Sequence, residues 1–201
     1  IFPMGKGFYT SDRGFTDYVH EHLAIPLIYN KLSWFPQEMN KNLSVNADIL
    51  NAVDAFLIDI INKRIVTVQE RFREYHYHNY TDFTIRFERE FNKHDERKLS
   101  EYFKLDADYF VYGIINNSKF NKEKATEFVK FAVIDLKKLR VLFDEKKIIV
   151  DRDLDSLRCT VIDGVMHCPV NQNHDRSSSF IPVDIKILKE QKKKEKRLNR
   201  L

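Results

Sequence analysis

The alternation of extended and helical stretches predicts an α/β chain, an α+β sandwich in which a central mixed β-sheet is flanked by helices. Three observations carry this. Two short strand-like runs joined by a tight turn fill residues 52–72. A run apolar on both sides, Ala107–Ile115, reads as a central strand with both faces covered. Around them, segments with apolar residues three and four apart read as helices.

In chain order, the first helix is expected over Phe15–Ile25, after a cap at Ser11 or Asp12. Asp17 and Glu21 lie four apart and so share a face. Pro26 is expected to break or kink this helix, with a second segment over Leu27–Leu32. Trp34–Asp48 reads as a connection. The first strand is Ala52–Ile60, the turn Asn62-Lys63-Arg64, and the second strand Ile65–Phe72. In the latter, Val66, Val68, Glu70 and Phe72 point one way, and Thr67, Gln69 and Arg71 the other. An aromatic and histidine loop follows (Glu74–Thr81). His76 and His78 suit one strand face, with no third ligand in sight; they read more readily as surface histidines. Asp82–Glu90 alternates as a strand, and Arg86 projects to its polar side. A helix is expected over Asn92–Leu105, helical character over Phe120–Phe128, a strand at Phe131–Leu136 and a helix at Leu136–Phe143.

The composition bounds the class. A chain of 201 residues suits one domain with an appendage, here a core over residues 1–150 and an extension over 151–201. With 43% hydrophobic and 13% aromatic residues, wholesale disorder is excluded. No apolar run approaches the roughly 18 residues that span a bilayer, and the opening segment lacks the apolar core of a signal peptide. Two cysteines fit a reducing, cytoplasmic setting. The net charge of +4 is uneven: from Lys186 onward eight Lys and Arg stand against two Glu, so the body is near neutral and the tail basic. Such a tail suits a polyanion, or is simply a solvated end.

The extension contains a hairpin, with CTVI and VMHC flanking the Asp163-Gly164 turn. Counting outward sets Ile162 against Val165 and Cys159 against Cys168. The two cysteines are reduced packing residues, a cross-strand disulfide, or, with His167 and His174, ligands to Zn²⁺.

The central pair of strands resembles the PD-(D/E)XK nuclease superfamily. Members place an Asp on one strand and an (E/Q)-x-K motif on the next, with a divalent metal between them. Asp54 matches the Asp, Gln69 the Glu/Gln and Arg71 the Lys position, while Glu70 would lend its backbone carbonyl. An acid from the preceding helix would complete the site: Glu21 first, Asp17 second. The resemblance covers roughly residues 12–145, taking in "ADYFVYGI" and "FAVIDLKKL" as the later strands. It implies a restriction-endonuclease-like core and a metal-dependent endonuclease using Mg²⁺ or Mn²⁺ on a nucleic acid, DNA before RNA, with no membrane partner. Two-strand cleavage would call for a homodimer. Arg71 departs from the pattern: a guanidinium stays protonated, so it would grip phosphate but could not serve as a base. A nuclease-like fold that only binds nucleic acid or a protein is the alternative.

Overall fold

A computed structural model describes residues 6–38, 52–89, 101–104, 106–173 and 178–190. The chain is α+β with a mixed central sheet, and divides into two compact units. The first comprises residues 1–48, 53–79 and 107–135, and the second 49–52, 80–106 and 136–201. No helix of the described residues is long and apolar enough to cross a membrane.

The first unit begins with helix α1 (Lys6–Val19), which runs into a π-helix over His20–Tyr29. Pro26 does not end the helix. A proline inside an α-helix lacks an N–H and collides with the carbonyl four residues back. Winding the chain more widely moves that carbonyl aside, and the Asn30 N–H bonds five residues back to Ile25. A single 3-10 turn, Asn30–Leu32, and Ser33 at φ 59° close the segment.

The unit's sheet has five strands in the order β1-β2-β3-β5-β6. Strand β1 (Trp34–Pro36) lies inside the stretch expected to be a connection; with only three residues it offers too short an alternation to read. Strands β2 (Ala55–Asp59) and β3 (Arg64–Arg73) form the expected hairpin, with Ala55 opposite Val68 and Asp59 opposite Arg64. Asp59 shapes the turn by accepting bonds from the Asn62 N–H at 2.9 Å and Nδ2 at 2.7 Å, with Lys63 at φ 51°. Strand β5 (Tyr109–Ile115) is parallel to β3 and buried along nearly its whole length, as its two-sided apolar sequence requires. Strand β6 (Phe128–Asp135) pairs antiparallel with β5. The helical character expected over Phe120–Phe128 is absent: 3-10 turns span Lys119–Lys124 and β6 begins at Phe128. Four lysines and glutamates within residues 119–124 gave a helix-like pattern with too few apolar positions to bury one face.

The core of this unit lies between the sheet and the helices. Val19, Leu23, Ala24 and Ile28 meet Leu57 of β2, Val66, Val68 and Phe72 of β3, and Val111 and Ile115 of β5. Glycine is required at position 113, where a Cβ would stand 2.5 Å from the Phe128 ring and 3.3 Å from Phe72. Gly113→Ala is expected to destabilise the chain by about 1–3 kcal/mol, read as a drop in chemical-denaturation midpoint. An unchanged midpoint would show that the Phe128 ring moves aside freely.

The second unit holds two three-stranded sheets. Strand β4 (Asp82–Arg86) pairs with β11 (Ser179–Asp184), and β11 with β10 (Asn171–Gln172). Its apolar rungs, Ile85 against Ile181 and Phe83 against Val183, are fully buried. The other sheet has β7 (Ile148–Asp151) parallel to β9 (Val165–Pro169), and β8 (Thr160–Ile162) antiparallel to it. The expected β8–β9 hairpin is present: Ile162 faces Val165, and both Asp163 (φ 50°) and Gly164 (φ 82°) take the left-handed conformation of the turn. The helix over Leu136–Asp144 agrees with its sequence pattern. Of the helix expected over residues 92–105, Glu101–Lys104 is helical and 92–100 lie outside the described residues. The basic end beyond residue 190 lies outside them too, as does His174.

Candidate functional site

Glu70 is a buried carboxylate held by two side-chain donors from the helix. It points from β3 toward the helices, between Val68 and Phe72, and its residue is buried. Its Oε1 accepts a hydrogen bond from the Tyr29 hydroxyl, which is fully buried, and another from His20 Nδ1 at 2.8 Å. These donors stand nine residues apart. In an α-helix nine residues make about two and a half turns, which puts them on opposite faces. In the wider i→i+5 winding the same nine make about two turns, and both face Glu70. The π-helix is therefore what assembles this site.

The electrostatics follow. Burial, the largest influence on His20, disfavours its charge. The hydrogen bond to Glu70 and that residue's charge, aided by Glu21 and Asp17, outweigh it and hold the imidazole above its ordinary pKa. Burial first, and then the negative charges of Glu70 and Asp54, push the Tyr29 hydroxyl well above its usual range. Tyr29 is a fixed donor, and His20 and Glu70 form an ion pair when the imidazole is protonated, its edge remaining part-exposed.

Asp54 comes to the same stretch of β3 from the other strand. Its N–H bonds to the Val68 carbonyl at 2.8 Å, although Val68 already pairs with Ala55. Two residues thus stand opposite one, which is a bulge at the head of β2. The extra residue takes Asp54 out of the regular alternation, and its Oδ2 accepts the Glu70 backbone N–H at 2.7 Å. The carboxylate replaces the carbonyl that a longer β2 would offer, and Asp54 itself is exposed.

The two remaining motif positions lie on the opposite side of β3. Gln69 is buried, 3% exposed, and its Oε1 has no hydrogen-bond partner. Arg71 is half-buried. Asp54 and Glu70 are brought together; Glu21 and Gln69 are not, because Glu21 is exposed on the helix side. Asp17 is exposed as well, 4.0 Å from Arg13. The helix delivers His20 and Tyr29 in place of the expected acid. His20 stood next to the chosen Glu21 in a His-Glu-His run, but only the wide winding reveals its phase.

Other expected groups fall as follows. Arg86 pairs with Glu101 at 3.2 Å in the second unit. His78 stacks on Tyr75 at 4.4 Å, and His76 lies 3.5 Å from Glu74. Cys159 and Cys168 are free thiols with sulfurs 3.5 Å apart, and Cys159 Sγ also donates to the Pro182 carbonyl. The hydrogen bond with Cys159 first, and then burial, push the Cys168 thiol far up, and the same contact draws Cys159 down. His167 is bonded to Asp151 at 2.8 Å. Among the described residues no group of three or more His, Cys, Asp and Glu stands together as a metal cage.

Comparison with family models, curated proteins and solved structures finds no match.

Proposed function

We propose that the chain is a metal-dependent endonuclease of the PD-(D/E)XK kind, hydrolysing phosphodiester bonds in DNA on a restriction-endonuclease-like core. The observation that carries this reading is Asp54, an exposed carboxylate at the head of one strand held against the backbone of Glu70 on the next. Support comes from the order of elements: a leading helix, the hairpin bearing Asp54 and Gln69, and later strands completing a mixed sheet.

The donor types suit a hard divalent ion such as Mg²⁺ or Mn²⁺. Asp54 offers a carboxylate and Glu70 a main-chain carbonyl beside it, whereas the buried Gln69 amide oxygen, which lacks a donor, lies on the other side of β3 and would not reach the same ion. Bound there, the ion would supply charge neutralisation and an activated water. Arg71, on the other side of β3, would act only as a cation that meets phosphate from that side and takes no proton. His20 and Tyr29 fix Glu70, and through its backbone N–H they hold the orientation of Asp54. Glu21, on the exposed helix side, is left out of this set.

The test is nicking of supercoiled plasmid with Mg²⁺ or Mn²⁺ against a chelator control. Cleavage that requires the metal supports the reading; none with either ion sinks it. The second reading, a nuclease-like fold that binds without cutting, is favoured by Arg71 and by the missing acid cluster among the described residues. A gel shift that weakens with salt, with no cleavage, would select it. A homodimer would supply the two sites that a double-strand cut requires.

A further inference from the structure

The most exposed large apolar side chain among those described is Phe120, at 90%. It sits in the 3-10 turns of Lys119–Lys124, flanked by Lys119, Lys122 and Lys124. The loop that carries it is tightly built. Asn116 and Thr126 close its base with two bonds of 2.9 and 3.0 Å. The Lys119 N–H donates to Glu74, the Tyr75 N–H donates to the Asn117 carbonyl, and Lys122 Nζ donates to the Gly14 carbonyl at 2.7 Å. A frayed loop leaves a phenylalanine in water by default; one braced at both ends and its middle holds it there. Beside it the Tyr75 and His78 rings lie stacked at 8°, with Tyr75 46% exposed.

This surface is at the ends where the parallel strands β3 and β5 stop, where ligands collect in sheets with parallel strands. From Glu70 to Arg73, where β3 ends two residues before Tyr75, is about 10 Å of strand. From this we infer that the Phe120 loop and the Tyr75–His78 stack are a landing site for single-stranded nucleic acid, in which Phe120 stacks on an unpaired base and Lys119 and Lys124 meet the flanking phosphates. Ring faces accept any base, and lysines supply the charge that follows a backbone. The inference rests on the nucleic-acid reading above and adds to it the strand state of the substrate.

The experiment uses the full chain with fluorescein-labelled oligo(dT) in chelator, so that binding is read apart from cleavage. Phe120→Ala is expected to weaken binding about tenfold, with little loss for Phe120→Trp. Lys124→Glu should weaken it and flatten the salt dependence. Position 120 is solvent-facing, and circular dichroism checks that the variants fold. Equal affinity of parent and Phe120→Ala, or no binding by the parent, overturns the inference, as does lost self-association in sedimentation with unchanged oligo(dT) binding. If parent and Phe120→Ala both nick plasmid with Mg²⁺ and bind alike, this surface is excluded while the endonuclease stands. If neither nicks but the Phe120 dependence holds, the landing site stands and catalysis falls.

Discussion

Asp54→Asn is expected to leave the chain folded and remove metal-dependent cleavage. The amide retains an oxygen to accept the Glu70 N–H, so the bulge at the head of β2 keeps its bond. What disappears is the one exposed negative charge the proposed ion would meet. Charge stabilisation by a bound divalent ion amounts to several kcal/mol, so nicking should fall by about three powers of ten. Asp54→Ala should lose activity equally and also cost about 1 kcal/mol of stability, since the Glu70 N–H then lacks its partner. Nicking by Asp54→Asn within about tenfold of the parent rate would remove Asp54 from the chemistry.

The second large effect concerns folding. Tyr29→Phe is expected to lower stability by about 2–3 kcal/mol, because the buried Glu70 carboxyl group is left with one donor fewer. His20 adds a pH dependence with a definite sign. Its folded pKa is raised above 6.5, so the ion pair's contribution is fully present below that ordinary value. It is lost as the pH climbs through the folded pKa. Urea midpoints should therefore decline on going from mildly acidic to mildly alkaline buffer, and His20→Gln should flatten that decline. A parent profile that is already flat would mean that His20 and Glu70 do not pair in solution.

Many of the strands were legible because β3, β4 and β5 carry strong period-two or two-sided apolar patterns, and Asp163-Gly164 announces the turn between β8 and β9. The helix around Pro26 was not, because proline is read as a stop and the wider winding spaces its buried residues, Leu23, Ala24, Ile28 and Tyr29, four and five apart rather than three and four. That one misreading also hid the site. With α-helical phase His20 and Tyr29 face apart, and Glu21 is the acid to choose. The alternation of β3 did separate Glu70 from Gln69 and Arg71 on paper. Its consequence, that a buried carboxylate would need donors from the helix, follows only once the helix is known to cover that face. The bulge at Asp54 left no trace in the residues; it is visible only as a mismatch between a backbone bond and the strand register.

Pro26 is exposed to solvent within the π-helix. It nevertheless governs whether Glu70 and its donors meet. A segment freed to rewind into the tighter spiral would carry Tyr29 half a revolution round and leave an anion stranded among aliphatic side chains. The acid's environment is thus set at a distance, by a ring on the solvent side whose influence travels only through the pitch of the backbone.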